Sequence, residues 1–551
     1  MLSLKAVYFY FLAVKILTVR FIKKIYFSTN YYSKSLKTKL PEQLYFYPNP
    51  FLLSSFVNQK IFTFKLSKVN INTFWNDFQT LKEEENLNSF FWLNLINRKN
   101  DGEVIQQIIT IWIKNNFKYK KKNWSNLQIS KRILAWILNA DIILNNADKV
   151  FKESFFNSII IQVNHLKKNL NDENDPAKKI EIVSAIILSG LVFKEYNYNF
   201  EKGIKSLKYV VETFFDNDGC PVNRNIYDLV QCSKFLILIK ECCRDAQEYI
   251  PDFLDDIVDK LVDCIFSLET PSYKNPLFNG ASEFKIDSYL KYLAGLEYKP
   301  KNMINNIGKI YIVRGKKNSL FFDVGSPPIK KYSKNYQSGP LSFEYFIDNH
   351  KIITNCGFGN KISKKIELIS RLTSAQSTLC LNDSSVVKFE RNNFINDAFG
   401  NSITTSFRVF DFSEDENKNY LTIAAKHNAY EDNFNYTHQR IIKIEKKNSN
   451  LLGEDKLVSV KKNKKLLNMY NIRFHLYPGI DAVQTIGKNS ILIQIEKNKS
   501  LIFTSTADNL ILEKSIFLGR NQIINNFCIT VAGTLNNNEN KNIIWEFKKN
   551  N

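Results

Sequence analysis

The sequence predicts two segregated domains, an all-helical one first and an antiparallel β-sandwich after it. Apolar residues recur at three- and four-residue spacing from about residue 80 to 300. After about residue 305 the spacing becomes two. No GxGxxG string and no P-loop signature occurs, which argues against a doubly wound nucleotide-binding enzyme.

The first element is N-terminal. Ala6 to Val14 are apolar, Lys15 interrupts the run, and Arg20, Lys23 and Lys24 follow. A bilayer span needs about 20 apolar residues, so this stretch is too short to cross. Lys5 ahead of a short apolar stretch resembles a signal peptide, but no A-x-A-like cleavage site follows. Residues 1–45 read as a basic amphipathic segment, a helix that lies on a surface or docks onto the fold. Peripheral contact with an anionic membrane through residues 1–40 is the matching expectation.

Residues 46–305 form the expected helical domain. Val104, Ile105, Ile108, Ile109 and Trp112 share one helix face, as do Ile133, Leu134, Ile137 and Leu138. Further helical runs cover 180–195, 203–215, 227–243 and 253–267. Short polar connections such as Asp216-Asn217-Asp218-Gly219 join them, which fits a bundle, a solenoid or a toroid. No fixed-period repeat is present.

Residues 306–551 form the expected sandwich. Period-two runs lie at 309–314, 319–324, 341–347, 351–354, 420–424, 440–444 and 490–495, separated by polar turns.

Composition bounds the function. The 551 residues carry 76 Lys and Arg against 54 Asp and Glu, a formal charge of +22. Part of that excess follows from a Lys-, Asn- and Ile-rich composition, but it still favours a polyanionic partner. No nucleic-acid motif appears, and aromatic and basic residues are not clustered as on a single-strand platform, so nucleic acid is not expected. The lysine runs at 118–122 and 461–465 read as solvated loop charge. The 8 cysteines include no CxxC pair and no zinc spacing, and read as buried thiols.

Strings in one order along the chain carry a resemblance. They are Phe91-Trp92-Leu93, Trp112, Trp124, Arg132 and Trp136, then Asp218-Gly219-Cys220-Pro221-Val222-Asn223-Arg224-Asn225 and Leu277-Phe278-Asn279-Gly280-Ala281-Ser282-Glu283. Gly339-Pro340-Leu341-Ser342-Phe343-Glu344, Asn355-Cys356-Gly357 and Ser377-Thr378-Leu379 follow. His427, Tyr430, His438 and Arg440 come next, and Arg473-Phe474-His475-Leu476 with Pro478 ends the series. In this the chain resembles the heparinase II/III-like family, most closely a bacterial branch.

The resemblance implies an incomplete (α/α) toroid followed by an antiparallel β-sandwich. It implies β-elimination on a uronic-acid polysaccharide, a carbon–oxygen lyase without a redox cofactor. It also sets the alternative, a catalytically degenerate carbohydrate-binding or envelope-polysaccharide scaffold protein. A bacterial periplasmic or cytoplasmic, membrane-associated location stays open. Family histidines are replaced by Pro221, Gln337 and Gln376, and the string that supplies a base and a metal ligand in family lyases aligns with Asn335, Gln337 and Gly339. Glutamine neither ionises nor binds zinc well, so no tightly bound zinc and no cofactor are expected.

Elimination needs a proton-transfer group and charge neutralisation at the uronate. The candidates for proton transfer are Tyr227, Tyr430 and His438. Arg132, Asn223, Arg224, Asn225, Glu283, Arg440 and His475 are the candidates for holding substrate. Each has a plainer reading: histidines in strand-like runs are often hydrogen-bonded sheet residues, tryptophans are often core, and arginines often bridge helices. A toroid open at one side would leave a concave surface, and ligand sites prefer concave domain junctions, so the site is expected in a groove between the two domains, with the Asn223-Arg224-Asn225 loop facing the strands that bear His438 and Arg440.

Overall fold

The computed structural model describes residues 4–57, 71, 73–75, 81–98, 101–272, 274–460, 468–536 and 539–550. The lysine run at 461–465 lies outside them. The chain folds as two compact units. One holds residues 1–216, 230–262 and 292–299; the other holds 217–229, 263–291 and 300–551. The second unit therefore takes in two loops from the helical part of the sequence, where periodicity alone placed the boundary near 305.

In the first unit the apolar stripes form helices with short joints. Gly102–Asn116 buries Ile105, Ile108, Ile109 and Trp112. Asn126–Leu138 starts at Ser125, whose hydroxyl accepts from the Gln128 N–H, and buries nearly its whole length. Lys149–Asn169, Pro176–Val192 and Asn197–Phe214 follow, and Gly190 lets the last two pack closely, since a Cβ there would sit 2.2 Å from the Phe200 nitrogen. Ile226–Asp245 and Asp252–Ser267 complete the predicted runs. The N-terminal segment is a 24-residue helix, Leu4–Phe27.

The second unit is a sandwich of two sheets in which, among the described residues, every strand pair is antiparallel. One sheet runs in the order Asn306–Ile307, Ile310–Arg314, Asn318–Asp323, Phe343–Ile347, His350–Thr354, Asn468–Leu476, Ile524–Leu535, Asn509–Phe517. Leu379–Leu381 pairs with Asn468–Leu476 beside that path. The other sheet runs Asp481–Gln484, Ser490–Glu496, Lys499–Ser505, Lys541–Lys549, Leu451–Ser459, Tyr436–Glu445, Tyr420–Tyr430, Val409–Glu416. Their inner faces interlock through Phe343, stacked on Trp545 at 5.5 Å, with Phe474, Phe503 and Phe547 around them. Gly453 stands opposite Trp545 in the register, and the indole lies where its side chain would be, 2.0 Å from a Cβ.

Two stretches depart from the predicted pattern. The described residues of 268–286 form loops rather than helix, and between 355 and 408 the sandwich sequence makes, besides the short strand Leu379–Leu381, loops and the helices Lys364–Ser370 and Asn393–Phe399. All 8 cysteines are buried free thiols.

Candidate functional site

The loop before the Ile226–Asp245 helix is wired from within. Asn225 caps that helix, its Oδ1 accepting from the Tyr227 N–H at 2.8 Å and the Asp228 N–H at 3.3 Å. Asn223 accepts from the Asn225 N–H at 3.0 Å and donates to Asp228 Oδ2 at 2.7 Å. Arg224 adopts a φ of 61°. That turn sends its guanidinium into the sandwich, where it pairs with the Asp323 carboxylate and donates to the carbonyls of Gly308, Gly325 and Ser326. Arg224 is thus a clamp, expected as a substrate ligand but occupied by five protein oxygens with Lys309 O included. Burial raises the Asp323 carboxyl while Arg224 opposes the shift.

The second loop, at 277–283, meets the first. Asn279 donates to the Arg224 carbonyl at 3.4 Å. Gly280 has a φ of +91°, and a Cβ there would lie 2.6 Å from Asn335 Cβ and 3.3 Å from Asn225 Nδ2. Asn225, Gly280 and Asn335 therefore converge. Gln337 anchors this junction: its Oε1 accepts from the Gly280 N–H at 2.9 Å, and its Nε2 donates to Gly357 O and Ser370 O at 3.0 and 2.8 Å. Gln376 donates to the same Ser370 carbonyl at 2.9 Å. Both glutamines are backbone braces with their amides in use. Asn335, Gln337 and Gly339 present no thiolate, imidazole or carboxylate, and do not fit a zinc ion.

Glu283 sits at the end of the second loop in a polar knot that sequence reasoning missed. Its carboxylate accepts from Tyr477 OH at 2.7 Å and Arg520 Nε at 3.0 Å, and Arg520 Nη2 also reaches Tyr477 OH at 2.6 Å. Lys274 Nζ lies 4.0 Å from the Tyr477 ring centre. Burial lowers the Lys274 ammonium, and burial with the Glu283 charge raises the Tyr477 phenol.

The strand candidates lie elsewhere. His438, Arg440, Tyr430 and His427 are all at most 1 % exposed. Arg440 grips Asp455 with two bonds, Nε to Oδ1 at 2.8 Å and Nη2 to Oδ2 at 3.0 Å. It also donates to the carbonyls of Leu341 and Ser377. Trp545 Nε1 donates to Asp455 Oδ2 at 2.8 Å. His438 Nε2 faces Asp455 Oδ1 at 2.6 Å, and its Nδ1 faces His427 Nε2 at 3.0 Å. The Ala429 N–H donates to His427 Nδ1 at 3.2 Å. One neutral tautomer for each histidine satisfies all four ring nitrogens. Burial lowers both histidines, and for Asp455 the Arg440 charge and the hydrogen bond from His438 overcome burial and hold the carboxyl low. The Tyr430 hydroxyl donates to Leu379 O at 2.7 Å. Expected as catalytic and substrate-binding groups, His438, Tyr430 and Arg440 are enclosed in the sandwich core, out of reach of a sugar in solvent. The parity of Tyr436, His438, Arg440, Ile442 and Ile444 was the signal: they share the inward face of one strand.

Two further candidates are also core. Arg132 is fully buried; it donates to Gln162 Oε1, Asn88 O and Asn123 O and stacks over Trp112 at 4.1 Å. Burial brings its guanidinium down to about 9. Trp124 and Trp136 are buried as well. His475 is held between Ser515 Oγ and the Ser374 carbonyl, each at 3.1 Å, and burial lowers it to about 4.

Of the proton-transfer candidates, Tyr227 alone keeps partial exposure. It stands on the first turn of the capped helix, with Phe284 at 6.0 Å and Lys361 Nζ 5.8 Å from its ring. Asn223 and Asn335 are also partly exposed, and groups of these kinds, a phenol, an ammonium and amides, can transfer a proton and bind an anion.

Two family models match consecutive parts of the chain: Heparinase II/III N-terminus at residues 92–303 and Heparinase II/III-like, C-terminal at residues 299–546. Among solved structures, the chain is similar to heparan sulfate lyase HepC from Pedobacter heparinus, with 14% identity and a TM-score of 0.62, covering 94% of this chain and 87% of that one. It is similar to Heparinase III at 13% identity and a TM-score of 0.67, covering 91% and 84%. No curated protein matches it. At such identities the likeness shows the fold, a helical toroid followed by an antiparallel sandwich.

Proposed function

The chain belongs to the heparinase II/III-like family, and on that premise we propose that it is a polysaccharide lyase that cleaves a uronate-containing acidic chain by β-elimination. The observation that carries this is the convergence of the 218–228 and 277–283 loops on Asn335, with Tyr227 left partly exposed beside Lys361. In the reaction the C5 proton leaves, the C4–O bond breaks, a C4=C5 double bond forms, and the departing oxygen gains a proton. Tyr227 serves both transfers when they lie on one face of the sugar: its phenolate takes the C5 proton and returns it to the leaving oxygen. Asn223, Asn335 and Lys361 hold the uronate carboxylate, which makes the C5 proton removable. The test is incubation with heparan sulfate, hyaluronan and alginate while the ultraviolet absorbance of the unsaturated product is followed; a flat trace on a broad uronate panel sinks the lyase reading.

One observation favours a second reading. Gln337 and Gln376 stand as braces where the resemblance expects histidines, and the sandwich histidines His427, His438 and His475 are buried. A protein that binds the polysaccharide and does not cut it fits these facts. Binding of the same chains without product separates the two readings.

The seat of the protein, on our reading, is an anionic membrane surface. Val7, Phe11, Val14, Ile22 and Ile25 are each at least half exposed and lie along one stripe of the Leu4–Phe27 helix. That helix contains Lys5, Lys15, Arg20, Lys23 and Lys24 and no acid. An apolar face flanked by cations suits the boundary of an anionic leaflet. No described helix is long and apolar enough to cross a membrane.

A further inference from the structure

We propose that one end of the sandwich carries a second site for acidic saccharide, sharing no residue with the Tyr227 surface; it rests on the acidic-polysaccharide reading above. Three hairpin tips form it: 314–318 from one sheet, and 416–420 and 445–449 from the other. They enclose a cavity of about 870 Å³, the size of a typical small-ligand pocket.

The lining has three parts, each suited to a uronate sugar. Val313, Leu421 and Ile444 give an apolar base, and Tyr420, 40 % exposed, offers an aromatic face for the C–H side of a pyranose. Asn318 Nδ2 donates to Ser449 Oγ at 2.8 Å, tying a tip of one sheet to a tip of the other, so the cavity is built by both sheets.

Charge is the third part. Arg314, Lys316, Lys317, Lys418, Lys446 and Lys447 line the cavity against only Glu416 and Glu445. Those two acids are already engaged: Glu416 pairs with Lys446 at 2.6 Å, and Glu445 accepts from the amides of Asn448 and Asn450. Arg314 is held by the Ser267 and Ile304 carbonyls. Lys316, Lys317, Lys418 and Lys447 make no ion pair among the described residues. Four uncommitted ammonium groups on three tips around an apolar, aromatic base fit carboxylate or sulfate groups spaced along a sugar chain. A single tyrosine offers no row of rings for stacked bases, which disfavours single-stranded nucleic acid. The site would hold a long chain while its cleavable end is processed at another surface.

The test measures binding and turnover separately on the full chain. Labelled heparan sulfate chains are titrated by fluorescence anisotropy, and a tetrasaccharide is used for turnover. The variants are the quadruple Lys316→Ala/Lys317→Ala/Lys418→Ala/Lys447→Ala, Tyr420→Ala, and a charge control, Lys120→Ala/Lys121→Ala/Lys122→Ala. The quadruple variant should bind long chains about tenfold more weakly, as expected for losing several partly exposed ion contacts. Tyr420→Ala should weaken binding too, and the control and the tetrasaccharide turnover should be unchanged. The site is overturned if the quadruple variant binds like the control, or if single-stranded DNA of equal charge competes as well as heparan sulfate. Turnover with insensitive binding removes this site and leaves the lyase. Sensitive binding without turnover keeps this site and removes the lyase. Wild-type protein that binds no uronate chain removes both.

Discussion

His438 and Asp455 meet at 2.6 Å on neighbouring strands inside the sandwich, and the carboxylate is shared with Arg440 and Trp545. The pair resembles the base-and-orienter arrangement of a catalytic site, yet both members are fully buried. What it does is tie together three adjacent strands, since Trp545, Asp455 and His438 lie on strands that pair in that order.

Removing one member should therefore cost stability first. Asp455→Asn leaves Arg440 as a buried cation without its counter-charge, and is expected to destabilise by about 3–5 kcal/mol. His438→Ala strips His427 and Asp455 of a partner and is expected to cost about 1–3 kcal/mol. Denaturant unfolding followed by tryptophan fluorescence measures both. A normally stable His438→Ala protein with abolished turnover would return His438 to the chemistry.

Acid should weaken the fold early. His427 and His438 are held below the usual imidazole range by burial, and burial lowers His475 to about 4 and His165 to about 3. The folded chain leaves these rings neutral, while the unfolded chain protonates them below about pH 6.5. Stability is thus present above that pH and falls as pH drops through it, by up to about 1.4 kcal/mol per unit for each ring. Asp455, held low, adds a further loss below about pH 4. Melting temperature against pH checks this, and a profile flat from neutral to about pH 5 would contradict it.

Glu181 should act in the opposite direction. It is buried in the Pro176–Val192 helix, with Oε1 unpaired, and burial raises its carboxyl to about 7. The unfolded chain ionises near 4.5 while the folded one keeps its proton, so stability is lost as pH rises between those values. Glu181→Gln is expected to stabilise by about 3 kcal/mol above neutral pH and by nothing below about pH 4. Equal effects at both pH values would show that the carboxyl is not titrating.

Tyr227→Phe removes one hydroxyl from a partly exposed position and should leave the melting temperature unchanged. Turnover is expected to fall by at least about a hundredfold, the usual contribution of a proton-transfer group. Unchanged turnover would move the proton transfer to another residue.

Phe11→Asp together with Ile22→Asp places two carboxylates on the apolar stripe of the N-terminal helix. Cosedimentation with phosphatidylserine-containing vesicles should be lost, while neutral vesicles bind weakly to either protein. Equal cosedimentation of the variant would remove the membrane as the occupant of that face.

Gln337 shows what changes when a local string is placed in three dimensions. The departure from histidine was visible in sequence, but its role as a brace between Gly280, Gly357 and Ser370 depends on segments up to 57 residues away. Gln337→Ala should accordingly cost about 1–3 kcal/mol by orphaning the buried Gly280 N–H and the Gly357 carbonyl, while Ser370 O keeps Gln376, read as a shift in the denaturant midpoint.

By itself the sequence determined the order of helix and strand, the main helical runs and seven of the strands, and the turn at 216–219. It did so because periodicity, caps and turns are local, written within one or two turns of chain. Even the inward parity of His438 with Ile442 and Ile444 was written there. Tertiary structure alone decided which candidates touch solvent. Asp455 reaches His438 across 17 positions and Trp545 across 90, and Arg224 finds Asp323 across 99. Burial and charge pairing are sums over such distant partners, and those sums turned Arg132, Arg224, Arg440, His438 and His475 into structural residues and left Tyr227 partly open.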